Sequence, residues 1–256
     1  MNDAKPVFIA DSCIGGLSVI NTLWQARRAS HAVFLADYAI NPLGVKDEPA
    51  IAEVVSRWLS LAEEHSDTLI IACNTLSIRY RHLSQSGATP PGLKQIVSMV
   101  ECFEAMVGIG AERLANKKVL VIGTEYTASQ TLYLDLLRAA VPGIHANAIA
   151  ASDLERKVAR FQPGPLGLGE GLGQAIRSAD VVVLACTCFP IILDELKSMF
   201  PDVIFLDPGA YCAELLYPSS VTGQKQLRIA VTGNIVATKL VTSFAENYLN
   251  ADSIIT

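Results

Sequence analysis

The 256 residues carry 20 lysines and arginines against 25 aspartates and glutamates, a formal net charge of −5, with 51% hydrophobic and 18% charged residues. That balance excludes a disordered chain, and an acidic excess with no Arg-rich run or basic stripe excludes a nucleic-acid partner. Apolar runs such as 181–186 fall far short of the roughly 20 residues that cross a bilayer, so no membrane span is expected. The opening MNDAKPVFIADS has one lysine and no long apolar stretch, unlike a secretory signal. A cytoplasmic location follows as the expectation, with the cysteines at 13, 73, 102, 186, 188 and 212 mostly as thiols.

In chain order, short β-branched apolar runs appear at 7–10, 33–35, 69–72, 119–122, 181–185, 203–206 and 229–231. They are continuously apolar rather than alternating, which marks strands buried on both faces in parallel sheets covered by helices. Between them, 48–64, 127–140, 191–200 and 239–249 place apolar residues at helical spacing. The class is α/β. SQSGATPPG at 84–92 is rich in turn formers and reads as a loop near the passage between two units.

A weak internal duplication organises the chain. VFIAD (7–11) aligns with VLVIG (119–123), and LIIACNT (69–75) aligns with VVLACTC (182–188). Cys73 follows Asp11 by 62 residues and Cys186 follows Gly123 by 63. Two pseudo-symmetric α/β units are therefore expected to face one another, each contributing a thiol to a shared cleft. The run near Ile229 and the helix after it have no counterpart in the repeat and are expected to pack on the first unit. The expected domains are 1–97 with 209–256, and 98–208.

A thiol at the carboxyl end of a parallel strand, just before a helix, sits where α/β sheets bind ligands and where helix amides favour a thiolate. One such thiol alone reads as core. Two at equivalent repeat positions point to chemistry: one removes an α-proton from one face of a substrate, the other delivers a proton to the opposite face, and the stereocentre inverts. Asn74, Thr75 and Thr187 beside them can donate hydrogen bonds to a carboxylate. Gly15 and Gly16 suit close backbone approach to an anion, since no GxGxxG or GxxxxGK[ST] is present.

ADSCIGGLSV (10–19), ACNT (72–75) and ACTCFP (185–190) resemble the glutamate racemase motifs DSGxGGLTV, ACNTA and GCTHYP. DYAINPLG (37–44) is similar to that family's DxxxxPYG, and IGTEYT (122–127) to its IGTxxT. The five motifs, in order, run from residue 10 to residue 190. The resemblance implies two flavodoxin-like or Rossmann-like domains with mostly parallel sheets and the active site in the cleft between them. It implies a reaction without cofactor or metal in which Cys73 and Cys186 are the acid/base pair and Asp11 assists Cys73. Ser12, Asn74, Thr75, Thr124, Thr127 and Thr187 would line the site, with Pro42 and Gly44 shaping a backbone wall. The implied substrate is a small acidic amino acid, most simply glutamate, giving the D-amino acid of peptidoglycan; a homodimer is left open.

Four positions depart from the family pattern: Cys13 replaces a glycine, Leu43 a tyrosine, Cys188 the histidine that assists the second cysteine, and Phe189 the tyrosine after it. The four histidines, at 31, 65, 82 and 145, all lie outside the motifs. Asp207 and Glu170 are candidate compensating acids, with a solvated loop carboxylate as the plainer reading of each. Cys186-Thr187-Cys188, with Cys13 and Cys73 as potential neighbours, admits a soft-metal reading, but without a CxxC pair or histidines at ligand spacing no metal site is expected. The departures keep two alternatives open: a divergent relative acting as a racemase of another acid, an isomerase or a decarboxylase, and a silent amino-acid-binding protein. A binding module needs neither thiol.

Overall fold

The structure is a computed structural model that describes residues 5–84, 92–161, 166–216, 223–249 and 251–255. Residues 85–91 of the turn-rich stretch lie outside the described residues. The strands are β1 (Val7–Asp11), β2 (His31–Asp37), β3 (Thr68–Ile71), β4 (Gln95–Ser98), β5 (Lys118–Gly123), β6 (His145–Ala150), β7 (Val181–Ala185), β8 (Ile204–Leu206), β9 (Gln226–Thr232) and β10 (Ser253–Ile255). The helices are α1 (Gly16–Gln25), α2 (Glu48–His65), α3 (Asn74–Ser84), α4 (Met99–Leu114), α5 (Glu125–Ser129), α6 (Leu132–Ala140), α7 (Ser152–Ala159), α8 (Glu170–Arg177), α9 (Leu193–Met199), α10 (Cys212–Leu215) and α11 (Ile235–Tyr248).

The strands form two sheets, ordered β10-β9-β2-β1-β3-β4 and β6-β5-β7-β8. Every pair is parallel. The orders β2-β1-β3-β4 and β6-β5-β7-β8 are the same arrangement, so β1 corresponds to β5 and β3 to β7, as the duplication expected. In each sheet the chain reverses its winding between the two corresponding strands, and the carboxyl ends there flank a crevice. The run near Ile229 becomes β9, paired with β2 from His31↔Gln226 to Asp37↔Thr232.

Two expected helices are subdivided. The 127–140 stretch is α5 and α6, separated at Gln130, whose backbone is extended at φ −86° and ψ 139°. The 191–200 stretch opens as a 3-10 turn, Phe189–Ile192, before α9. Capping explains where several helices start. Asp47 accepts from the Ala50 amide at 3.0 Å before α2, Asn234 from the Ala237 amide at 3.0 Å before α11, and Ser98 with Glu101 forms a capping box on α4.

The apolar surfaces bury in three places. Ile9, Leu17 and Phe34 of the first sheet layer share one core with Ile122 and Leu184 of the second. Trp58 and Leu69 lie in the outer core of the first sheet, and Phe103, Tyr133 and Val121 in that of the second. Asp37, fully buried at the end of β2, is held by Trp58 Nε1 at 2.7 Å, by Thr232 Oγ1 at 2.5 Å and by Arg57. It ties α2 and β9 to β2, so this acid of the DYAINPLG stretch serves the scaffold.

Candidate active site

The carboxyl ends of β1, β2, β3, β5 and β7 surround a cavity of about 570 Å³. Cys73, in the single-residue gap between Ala72 and α3, and Cys186, directly after β7, both line it. Each is under 10% exposed. Asp11, Ser12, Cys13, Pro42, Leu43 and Gly44 lie on the same wall as Cys73, and Asn74, Thr75, Thr124 and Thr187 complete the expected lining.

On the Cys73 side, Ser12 Oγ lies 3.5 Å from Cys73 Sγ and 3.4 Å from Asp11 Oδ1. A hydroxyl therefore bridges thiol and carboxylate. Burial pushes the Asp11 carboxyl up to about 7, against the opposing hydrogen bond from Thr187 and amides of the loop. Burial, then the Asp11 charge, holds the Cys73 thiol well above its ordinary value. The helix-terminal thiolate expected from sequence is overturned here: desolvation outweighs the amides of α3, and the resting form is the thiol.

On the Cys186 side, Thr187 Oγ1 donates to Asp11 Oδ2 at 3.0 Å, and Ser18 Oγ donates to the Thr187 carbonyl at 3.1 Å. These loops meet because residue 15 is glycine: a Cβ there would come within 2.7 Å of Asp11 Oδ2 and strike Thr187 as well. Cys188 is fully buried behind the wall, where its sulfur lies 3.2 Å from that of Cys13 and interacts electrostatically with that of Cys186. Two of the four departures from the family pattern, Cys13 and Cys188, thus touch each other.

Hydroxyls cluster between the walls. Thr75 Oγ1 lies 3.0 Å from Thr124 Oγ1 and 3.4 Å from Thr127 Oγ1, and Thr124 donates to Thr127 at 3.0 Å. Thr127 stands behind the cavity rather than lining it, where it orients the other two. Asn74 accepts from the buried Tyr133 hydroxyl at 2.7 Å, which leaves its amide hydrogens free to face a ligand.

Neither candidate compensating acid reaches the cavity. Asp207 accepts from the Gly209 amide at 2.8 Å and caps the turn 208–211, its carboxyl pushed up to about 7 by burial. By surface area it is a half-buried turn cap rather than a fully solvated carboxylate. Glu170 opens α8 in an exposed position. Besides Asp11, the acids that do line the site are Glu155, from α7, with burial raising its carboxyl, and the exposed Glu125, which opens α5. Tyr38, Arg156 and Arg160 also line the cavity. Tyr38 stood inside DYAINPLG, whereas the α7 residues carried no motif.

The sequence pattern of the Asp/Glu/Hydantoin racemase family matches residues 29–216. A glutamate racemase from Sphingopyxis alaskensis is 31% identical over 255 residues, covering 91% of this chain and 88% of the relative. One from Campylobacter jejuni is 32% identical over 197 residues, covering 76% and 77%. The fold is shared with the crystal structure of a Campylobacter jejuni glutamate racemase, at a TM-score of 0.76, 24% identity and coverage of 97% of this chain and 99% of that one. It is shared as well with Escherichia coli glutamate racemase solved with L-glutamate and an activator, at a TM-score of 0.74, 21% identity and coverage of 98% and 97%. Motifs, fold and relatives agree, and the chain belongs to the Asp/Glu/Hydantoin racemase family.

Proposed function

We propose that this chain is a cofactor-independent glutamate racemase in which Cys73 and Cys186 exchange the α-proton from opposite faces. The observation that carries the reading is that two thiols at corresponding strand ends of a duplicated fold line one cavity. One sulfur accepts the α-proton as the C–H bond breaks, the carbanion is briefly held, and the opposite thiol forms the new C–H bond. Each turnover moves one proton in and one out, and the direction sets which sulfur starts as the base.

The Ser12 bridge supports the Cys73 side. Cys73 rests as a thiol, ready to act as acid; to act as base it must first release its proton, and Asp11 near pH 7 is matched to receive it through Ser12. Asn74, Thr75 and Thr124 offer donors to a carboxylate, and Arg156 and Arg160 add positive charge at the rim. A small amino acid with two carboxylates suits that field, and one relative of the same fold was solved with D-glutamate. Domains of 1–97 with 209–256 and 98–208, and a cytoplasmic place supplying D-glutamate for peptidoglycan, complete the proposal. Among the described residues no helix is long and apolar enough to cross a membrane.

Incubation with single enantiomers of glutamate and aspartate in deuterium oxide tests the reading. Deuterium entering the α-position together with inversion of glutamate is the expected result. Inversion of another acid alone transfers the assignment to that acid, and binding without exchange leaves a silent module.

A further inference from the structure

Cys13 and Cys188 come from different sheets, one from the β1–α1 loop and the other from the turn after β7, yet their sulfurs are 3.2 Å apart. The Glu155 carboxylate of α7 completes a group whose candidate ligand atoms all lie within 4.8 Å of one another. Both thiols are under 5% exposed. Among the described residues no ion pair holds Glu155, although it is half-buried and carries a potential negative charge beside two sulfurs. Two thiols and a carboxylate, gathered from three elements with, among the described residues, only the exposed Arg156 and Arg160 acting on the carboxylate and no cationic side chain between the sulfurs, form an unusual cluster for a purely structural corner.

We propose that Cys13, Cys188 and Glu155 form a binding site for a soft divalent cation of the zinc class. Thiolate sulfur selects zinc or cadmium over magnesium or calcium, which need oxygen-rich shells. Zinc–sulfur bonds of about 2.3 Å at tetrahedral angles hold two sulfurs about 3.8 Å apart, so the pair opens by roughly half an ångström and the Glu155 side chain closes in. On binding, each thiol releases its proton to solvent and the metal takes the electron pair. Three protein ligands leave a fourth position for water or for Cys186, two residues before Cys188 in the same turn. Cys13 and Glu155 line the cavity, which supplies the entry path. The cation links the two sheets and stands beside the second catalytic thiol, yet its binding is measured without substrate and does not depend on the racemase reading.

The test is equilibrium dialysis of the reduced protein, kept in a phosphine reductant, against zinc and then cadmium, with thiolate-to-cadmium absorption in the ultraviolet as the signature of sulfur ligation. One cation per chain is expected, with magnesium failing to compete. Losing an outer-shell partner typically costs 10–100-fold in metal affinity, so Cys13→Gly and Cys188→Ser, which remove a ligand, should each cost about 100-fold or more. Glu155→Gln should weaken binding less, and Cys73→Ala should leave it intact. Should Cys188→Ser fail to fold, as circular dichroism reports, Cys13→Gly and Cys13→Ser carry the test. Wild-type affinity in Cys13→Gly, or loss of binding in Cys73→Ala, overturns the site, the latter by placing the cation between the two cavity thiols.

Discussion

The two walls of the cavity are built on the same four-strand arrangement and end in the same residue, yet they surround their thiols differently. Cys73 faces a hydroxyl and a carboxylate, Ser12 and Asp11; Cys186 faces another thiol, Cys188, with Glu155 beyond it. The residue after each cysteine reaches the opposite half: Asn74 accepts from Tyr133, and Thr187 donates to Asp11. Duplication thus repeats where the sulfur stands, while flanking loops, which are free to vary, set what the sulfur can do with a proton. The Cys73 wall carries its own proton acceptor, and the Cys186 wall carries sulfur where the family has imidazole.

The strongest way to break that comparison is to remove one thiol at a time. Cys73→Ala and Cys186→Ala should each lower racemisation by at least the 10²–10⁴-fold typical of losing a general acid or base, with the fold intact. Each should retain α-proton exchange only for the enantiomer whose proton faces the surviving sulfur, read by NMR in deuterium oxide. Near-normal inversion in either variant would remove that cysteine from the mechanism.

Asp11→Asn comes next and acts on the first wall alone. Turnover should fall about a hundredfold, at the low end of general-base effects, and the wild-type rate should decline below about pH 7 as Asp11 gains its proton. Stability supplies an independent reading. With the folded carboxyl at about 7 and the free value at 3.8, the folded state binds more protons between those limits. This group therefore makes stability fall as pH rises through that window, by up to about 4 kcal/mol at about 1.4 kcal/mol per pH unit. Asp11→Asn should flatten that slope in urea melts from pH 4 to 8; an unchanged slope would assign it to Asp207, which shares the range.

The second wall is sharpened by restoring the family's residues. Because Cys188 is fully buried against Cys13, an imidazole placed there alone overpacks the corner and should cost about 1–3 kcal/mol. Cys13→Gly should relieve most of that cost, so the double variant should be more stable than Cys188→His by itself. If glutamate is the substrate, the double variant should also remove the proton facing Cys186 faster, on the order of tenfold, since an imidazolium stabilises the thiolate. Additive stabilities in the cycle would show that the two positions do not compensate one another.

The smallest effect belongs to the rim. Arg160→Glu reverses an exposed charge, worth up to about 1 kcal/mol, so KM for glutamate should rise up to about fivefold with kcat little changed. An equal fall in kcat would place Arg160 in contact with the reacting centre.

What could be read from the sequence follows the same physical line. The interior strands β1, β2, β3, β5 and β7 were legible because burial leaves an unbroken apolar run, whereas interior β9, alternately exposed and buried, showed only the short run 229–231. The strands without such a signal, β4, β6 and β10, are all edges; HANAIA in β6 mixes exposed and buried positions. The thiol pair, Asp11 and the hydroxyl ring were legible because repeat and motif marked them, although Thr127 serves from behind. Glu155 was not legible, since it is placed by the packing of α7 over the crevice, and no local pattern records a contact with residues more than thirty or a hundred positions away. Asp207 shows the reverse: a Pro-Gly turn looks solvated in sequence, and only the packing around it half-buries the carboxylate.

The seam between the halves bears on how a ligand enters and leaves. Its rear is the shared apolar core of Ile9, Leu17, Ile122 and Leu184, while its front is a row of hydrogen bonds, Thr75 to Thr124, Tyr133 to Asn74, Thr187 to Asp11 and Tyr38 to the Ala159 carbonyl. Parting the rear exposes hydrocarbon to water. Parting the front trades one set of hydrogen bonds for another, at a net cost of only about 0.5–1.5 kcal/mol each. The seam is thus greased at the back and latched at the lips by weak, water-replaceable catches, and Asp11, Tyr38, Asn74, Thr75, Thr124 and Thr187 among them line the cavity. A substitution that strengthens those catches is therefore expected to slow ligand exchange.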